Sequence, residues 1–204
     1  MAATSVAQAH PHVFVEARSE LVFDDQKRIE AVRHIWRFDD AFTAFAIQGL
    51  DEDGDGTLTQ EELQPLAEVN VESLKEYDYF TALFVGQAEV AFSDPTEYWL
   101  DFSDGRLTLF YTLPLEAPIL MDGQEAEFQV YDPTYFVAFE MTETDPFVLV
   151  DAGSSCQMHV ERPDELEEGT AQALAQIPSS VRDLPKQFLD VTQTLANTAK
   201  VSCT

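Results

Sequence analysis

The first part of the chain alternates between apolar and polar positions and predicts a β-hairpin. Residues 10–23 and 27–38 both follow the two-residue period of a half-buried strand, and Asp24, Asp25 and Gln26 form the turn between them. If Phe23 faces Arg28, one face of the hairpin is apolar and becomes part of the core. That face carries Val13, Val15, Ala17, Leu21, Phe23, Val32, Trp36 and Phe38.

The same period returns after residue 80 and predicts a mainly β protein. We expect strands at 80–85, 89–92, 97–102, 106–113, 125–131, 135–141, 147–150 and 156–161. Short strands at this spacing are typical of an antiparallel β-sandwich. The acidic segment 162–186 has a short helical pattern at 171–175, residues 186–196 have helical spacing, and Val201 and Cys203 suggest an edge strand.

A helical period interrupts the strands between residues 39 and 79. Residues 39–50 predict one helix, and apolar positions from 63 to 74 predict a second that Pro65 breaks or resets. The stretch between them, residues 51–62, reads DEDGDGTLTQEE. We therefore expect a helix–loop–helix insertion between the second and third strands of a single domain at 10–204, with 1–9 outside it.

Residues 51–62 fit the twelve-position calcium loop of an EF-hand. The loop needs a glycine at its sixth position, where the chain turns sharply, and Gly56 stands there. The predicted calcium ligands, at positions one, three, five, seven, nine and twelve, are Asp51, Asp53, Asp55, Thr57, Thr59 and Glu62. Because a lone loop lacks the partner that a calcium sensor uses, we expect the ion to serve structure. The alternative is an acidic surface turn.

The overall charge narrows the classes of partner. The 204 residues carry a formal net charge of −27, with acidic residues spread along the chain. Nucleic acid and anionic lipid are unsuitable partners, because contacts to phosphate need lysine and arginine. No apolar run is long enough to span a membrane, so we do not expect an integral membrane protein.

Two features suggest export to the periplasm. Ala7-Gln8-Ala9 has the small-x-small form of a signal-peptidase site, which predicts a remnant of a signal peptide and a mature chain that begins near His10. A flexible alanine-rich start is the alternative. Exported domains pair their cysteines, so we expect a disulfide between Cys156 and Cys203, with two unrelated buried thiols as the alternative.

Histidines near the start of the chain form a second candidate metal site. Cleavage before His10 would create a free amine that, with the imidazoles of His10 and His12 and with Asp39, suits divalent copper, nickel or zinc. His34 and His159 are weaker candidates. The hairpin register places His34 on the apolar face opposite Ala17, as a core histidine, and strand alternation directs His159 away from Met158.

No known catalytic motif is present in the sequence. The chain has no nucleophile elbow, no glycine-rich phosphate loop and no HExxH pair. We therefore expect no enzymatic activity. An enzyme that holds copper through an N-terminal His10 remains as an alternative.

Three stretches resemble a bacterial family of unknown function, the domain-of-unknown-function family numbered one thousand and seven. They are HPHVFV at 10–15, VRHIWRFD at 32–39 and YDPTYFVAF at 131–139. The resemblance covers most of the chain, although segment 162–186 is longer and more irregular than the family pattern. It implies the periplasmic component of an uncharacterised ABC-type transport system, loosely associated with nickel, cobalt or zinc. Part of the family carries a loop similar to residues 51–62.

Together these observations predict an exported, calcium-binding accessory protein. It would handle a divalent transition metal (nickel, cobalt, zinc or copper) beside an inner-membrane metal transporter, with His10 and His12 as ligands. The alternative is a calcium-stabilised periplasmic interaction module with no transition-metal role.

Overall fold

The computed structural model describes residues 11–164, 166–174, 176–177, 184–185 and 188–203. Within this part of the chain the protein is mainly β, as predicted. In chain order the strands are β1 Val13–Phe23, β2 Ile29–Phe38, β3 Thr81–Val85, β4 Ala88–Glu89, β5 Glu97–Ser103, β6 Arg106–Ile119, β7 Glu125–Val130, β8 Val137–Met141, β9 Phe147–Val150, β10 Cys156–Glu161 and β11 Asn197–Cys203. The helices are α1 Asp40–Ala46, α2 Gln60–Leu74, α3 Glu168–Leu174 and α4 Leu189–Gln193, and a 3₁₀ segment spans Lys75–Phe80.

The strands form two sheets. One has the order β5-β6-β2-β1-β8, with β9 also paired to β1, and the other has the order β10-β11-β7-β3-β4. The expectation of purely antiparallel pairing is wrong, because β1 pairs in parallel with both β8 and β9. A long excursion through the second sheet separates β1 from β8, which gives the chain the length that a parallel return requires.

The register of the first hairpin differs from the predicted one. A shift between Val22 and Phe23 sets Phe23 opposite Ile29, and beyond it Ser19, rather than Ala17, faces His34. The pairs beyond this bulge are displaced by two residues from the prediction. Because side chains alternate with a period of two, this displacement leaves every residue on its predicted face. The eight predicted core residues are all buried.

The two helices between β2 and β3 differ from the prediction. The first is shorter than predicted, and the second is not broken. Helix α1 ends at Ala46, four residues before the predicted end, because the chain turns and Gly49 takes a left-handed backbone with φ of +79°. The expectation that Pro65 interrupts the second helix is wrong. Pro65 lies in the second turn of α2, where its missing N–H leaves the Glu61 carbonyl without its helical donor, yet the helix continues through it to Leu74.

Both sheets and α2 supply one hydrophobic core. Side chains from the first sheet, such as Trp36, Leu109 and Leu113, pack with Leu83 and Phe128 of the second sheet. Helix α2 adds its buried face, with Leu63, Ala67 and Val71. The loop residue Leu58 and the α1 residue Phe42 also pack against this core. The core therefore anchors both helices that flank residues 51–62.

The C-terminal strand lies inside the second sheet, so the expectation that it forms an edge strand is wrong. β11 pairs with β10 on one side and with β7 on the other. Its residues Ala199 and Val201 are buried in the core. A disulfide joins Cys156 to Cys203 across the β10–β11 pair, which confirms the predicted pairing. In the described part of the chain, no helix is both long and apolar enough to cross a membrane.

Candidate functional site

Three carboxylates converge in the loop between α1 and α2. Asp51, Asp53 and Asp55 each place a carboxylate oxygen so that all three oxygens lie within 4.8 Å of one another. Oxygens bound to one calcium ion at about 2.3–2.6 Å can be separated by up to about 5 Å, so this spacing fits a shared calcium ion. Among the described residues, this is the group with the arrangement of a metal site.

Backbone hydrogen bonds hold the loop around these carboxylates. The Asp51 carboxylate accepts the N–H of Gly54 at 2.8 Å through Oδ1 and the N–H of Gly56 at 3.0 Å through Oδ2. Asp53 accepts from the N–H of Asp55, and Asp55 accepts from that of Thr57. Gly56 has φ of +82°, a left-handed conformation that an L-residue adopts only with strain. The predicted need for glycine at this position is therefore met.

Glu62 closes the loop from the far side. Its Oε1 accepts the N–H of Glu52 at 3.0 Å, and its Oε2 accepts the N–H of Thr59 at 2.9 Å and the Thr59 hydroxyl at 2.8 Å. Thr59 is also the N-cap of α2, so the two residues form a capping box. Hydrogen bonds from the Thr59 N–H, the Thr59 hydroxyl and the Glu52 N–H lower the pKa of Glu62 and keep it ionised.

The charge around this loop is unbalanced. Residues 38–74 contain ten acidic residues and no lysine or arginine. Arg106 of β6 reaches this segment from outside, with Nε 2.7 Å from Oδ1 of Asp40, on α1 rather than in the loop. The loop is exposed, except that Asp51 is half-buried. It presents several carboxylates to solvent, and no lysine or arginine within residues 38–74 neutralises them. Such a site favours a divalent cation.

The second predicted metal site is only partly inside the described residues. His10 lies outside them. His12 precedes β1 and its ring lies 4.9 Å from that of Phe136. Asp39 caps α1: its carboxylate accepts the N–H groups of Phe14, Ala41 and Phe42 at 2.8–2.9 Å. These bonds give Asp39 a capping role at the start of α1.

The two remaining histidines occupy opposite environments. His34 is buried, and its Nδ1 and Nε2 lie 2.9 Å and 3.1 Å from the hydroxyls of Ser19 and Thr81. Both ring nitrogens are therefore engaged inside the core. His159 is exposed on β10, 4.0 Å from Glu161, while Met158 packs toward the core. The structure thus brings neither histidine to the loop carboxylates or to His12.

A family model matches nearly the whole chain. The match covers residues 1–203, and the family is described as "Protein of unknown function (DUF1007)". The chain belongs to this family.

Two curated relatives are themselves uncharacterised. An "Uncharacterized protein" of Haemophilus influenzae is 22% identical over 167 residues, which is 81% of this chain and 79% of the relative. An "Uncharacterized 15.5 kDa protein in trpE 3'region" of Spirochaeta aurantia is 29% identical over 100 residues, 48% of this chain and 70% of the relative. Membership of the DUF1007 family therefore leaves the function to be argued from the site.

The sequence interpretation missed one buried carboxylate. Asp132 follows β7 and accepts hydrogen bonds from the N–H groups of Thr134, Phe136 and Val137 and from the Thr134 hydroxyl. Burial raises the pKa of this carboxyl, and the hydrogen bonds oppose that rise. An Asp-Pro-Thr sequence predicts such a turn, but only the tertiary structure shows that it orients the start of β8 beside β1.

Proposed function

We propose that the protein is a calcium-binding accessory protein whose ion stabilises the helical segment between β2 and β3. Asp51, Asp53, Asp55 and Glu62 would hold the ion through carboxylates, with the Thr57 carbonyl and Thr59 completing its shell. The convergence of three carboxylate oxygens within 4.8 Å carries this proposal. We read the helix–loop–helix as an EF-hand insertion in a β-sandwich.

The charge of the segment supports a structural role for calcium. Neighbouring carboxylates repel one another, and no basic residue of this segment offsets them. A bound divalent cation would supply the missing positive charge and tie the end of α1 to the start of α2. Because α1 and α2 both pack on the main core, this stabilisation would extend to the whole domain.

Calcium binding is tested by thermal unfolding and calorimetric titration of the intact chain. Loops of this kind outside the cell bind calcium with dissociation constants of about 10⁻⁴–10⁻³ M. At a calcium concentration of one hundred dissociation constants, binding should add about 2.7 kcal/mol to the free energy of unfolding. No rise in Tm at about 10 mM calcium, relative to EDTA, would show that the loop is an acidic turn.

Glu62 and its neighbour Glu61 form a matched pair for this test. Glu62→Gln removes the closing carboxylate and should abolish most of the calcium-dependent rise in Tm. Glu61→Gln changes the net charge equally at an exposed position outside the ligand set and should retain that rise. Equal losses in the two variants would mean that calcium acts only by screening the acidic surface.

We also propose that the protein is exported and handles a divalent transition metal beside a membrane transporter. Support comes from the family resemblance, from the Cys156–Cys203 disulfide and from the small-x-small pattern Ala7-Gln8-Ala9 directly before His10. His10 and His12 would bind nickel, cobalt, zinc or copper together with the amine that cleavage before His10 would expose. Asp39, the third predicted ligand, would join them through the carboxylate that also caps α1.

Intact mass and metal analysis of the protein purified from its own periplasm test this second proposal. A mass that begins at His10, with one calcium and one transition-metal ion per chain, would support it. His12→Gln should then lose the transition metal, whereas His159→Gln, at an exposed histidine of β10, should keep it. A chain that holds calcium alone would instead be a calcium-stabilised interaction module.

A further inference from the structure

The second sheet ends at an open edge formed by β10. In the strand order β10-β11-β7-β3-β4, β10 pairs with β11 alone among the described strands. Gln157, His159 and Glu161 are exposed, whereas Met158 and Val160 are half-buried and pack against the core. One long side of a regular, half-buried strand is therefore left unpaired within the described part of the chain.

Two residues of β10 direct their backbone groups to this open edge. In an antiparallel pair, alternate residues bond to the partner strand, and the residues between them point their N–H and C=O groups away. Cys156 lies opposite Cys203 with Cα atoms 4.0 Å apart, the short spacing of a pair without hydrogen bonds. Met158 and Val160 have the same phase as Cys156, so their N–H and C=O groups point outward. No other described residue bonds to them.

The inner strands of the sheet give the same phase. At the two ends of β7, Glu125 accepts the N–H of Gly86 at 2.9 Å and Tyr131 donates to the Phe80 carbonyl at 3.2 Å. Odd-numbered residues of β7 therefore bond to β3, and even-numbered ones bond to odd-numbered residues of β11. The even-numbered residues of β11 then bond to the odd-numbered residues of β10, which leaves the even-numbered residues of β10 directed outward.

This edge lacks the features that protect exposed strands. Open edges usually carry proline, lysine, a bulge or a covering side chain, because their free N–H and C=O groups pair with other chains. In the first sheet, the edge strand β8 is covered: Asn197 Nδ2 donates to the Phe139 carbonyl at 3.1 Å. Arg162 Nη1 donates to the Met141 carbonyl of the same strand at 2.9 Å. β10 has no proline or lysine, and its register with β11 is regular.

We propose that β10 pairs with β10 of a second copy of this chain, antiparallel about a twofold axis at His159. In this register Met158 lies opposite Val160 of the second copy, so every outward N–H meets an outward C=O. Gln157 lies opposite Glu161 of the second copy, where the amide donates to the carboxylate.

Neighbouring registers are less favourable. A shift toward the start of β10 would need the N–H of Cys156, which already donates to the Gly153 carbonyl at 3.0 Å. A shift toward the end would need Arg162, which lies past the end of the strand. The register centred on His159 is therefore the one that uses the free groups fully.

The charge distribution favours a second copy over a basic partner. The chain has a net charge of −27, yet residues 152–160 contain no Asp, Glu, Lys or Arg. Glu161, at the end of the strand, pairs with Lys200 at 2.9 Å. Two like-charged chains meet with least repulsion along such a strip, whereas a basic protein would be attracted to the acidic segment 38–74. This proposal depends on neither metal-binding proposal.

Sedimentation equilibrium of the intact chain tests the pairing. Because the contact is small, we expect dimers to form between about 10 µM and 1 mM protein. Raising the salt concentration from about 0.05 M to 0.5 M should strengthen the dimer several-fold, since salt screens repulsion between the chains. The dimer should form in EDTA as well as in calcium, which excludes bridging by the ion.

A proline at an outward position tests the backbone hydrogen bonds. Val160→Pro removes the outward N–H from both copies and should weaken dimerisation at least about tenfold, the effect of two lost hydrogen bonds. Its circular dichroism spectrum should match that of the unsubstituted chain, because this N–H has no partner among the described residues. Val160→Ala keeps the N–H and should retain most of the dimer.

Cysteine cross-linking tests the register. His159→Cys would place two thiols opposite each other in a pair without hydrogen bonds, as Cys156 and Cys203 are within the chain. Dissolved oxygen should oxidise them to a disulfide between the copies. In Glu161→Cys, the two thiols would lie four residues apart along the strands, at about 14 Å, and should not cross-link.

Four results would overturn the proposal. The chain could stay monomeric at about 1 mM protein and high salt, which would leave the edge to an extended segment of another protein. The dimer could form only with calcium, or Val160→Pro could leave it intact. The two cysteine variants could also cross-link equally, which would exclude the register centred on His159.

Discussion

At the scale of single residues, His34 shows how the core holds a polar side chain. Its ring lies 4.8 Å from that of Tyr111 and is stacked on it, and hydroxyls of Ser19 and Thr81 meet its two nitrogens. Burial lowers the pKa of His34 from 6.5 to about 3. The imidazole is therefore neutral in the folded protein and cannot charge there without disrupting its surroundings.

This shift makes stability depend on pH in a defined window. The unfolded chain binds a proton at His34 below about pH 6.5, whereas the folded chain does so only near pH 3. The contribution of His34 is complete above pH 6.5 and is lost as pH falls toward 3, by at most about 1.4 kcal/mol per pH unit. In urea unfolding from pH 7 to 4, His34→Gln should flatten this decline, whereas exposed His159→Gln should follow the wild type.

At the scale of elements, the start of α2 has two roles. The Thr59 hydroxyl accepts the N–H of Glu62 and donates to its carboxylate, so the capping residues of the helix are also candidate calcium ligands. The helix would thus begin where the ion binds. The first helical turn also carries Glu61 and Glu62, which favour the positive end of the helix dipole.

Substitution of Thr59 should separate the cap from the ion. Thr59→Ala removes the side-chain half of the capping box and should destabilise the protein by about 1 kcal/mol in EDTA. Thr57→Ala is the matched control, because Thr57 joins the hydrogen bonds of the loop through its backbone N–H, which alanine retains. The two variants are compared by urea unfolding. An equal loss in both would show that the capping box contributes nothing specific.

At the scale of the whole molecule, the disulfide holds the C-terminal strand in the sheet. It joins residues 47 positions apart and fixes β11 against β10, while β11 is itself an inner strand of the second sheet. The intervening segment includes α3, whose Leu174 forms a separate small apolar cluster with Ile177 and Leu184. Without the bridge, the unfolded chain is no longer closed into this loop and gains conformational entropy.

Removal of this bridge should lower stability substantially. Replacing both cysteines, Cys156→Ser with Cys203→Ser, should reduce the free energy of unfolding by about 4 kcal/mol, the loop-closure value for a bridge of this span. Urea unfolding measures the loss. A reductant should destabilise the wild type by a comparable amount and leave the double variant unchanged. A loss below about 1 kcal/mol would contradict a dominant role for loop closure.

The sequence by itself determined which side chains the candidate metal site contains and which residues of the first hairpin face the core. Alternation with a period of two assigned the buried residues of β1 and β2 even though their register was displaced, because a shift of two residues keeps each side chain on its face. The cluster of Asp51, Asp53 and Asp55 and the pairing of Cys156 with Cys203 were likewise readable from residue types and positions.

Only the tertiary structure decided how distant segments meet. The bulge at Val22, the parallel return of β8 and β9 to β1, and the inner position of β11 depend on long-range pairing that a local period does not encode. The same holds for the hydrogen bond by which Asp39, the N-cap of α1, accepts the N–H of Phe14, and for the open edge of β10. Each arises where elements from separate parts of the chain pack together, so its chemistry depends on neighbours that no single stretch of sequence specifies.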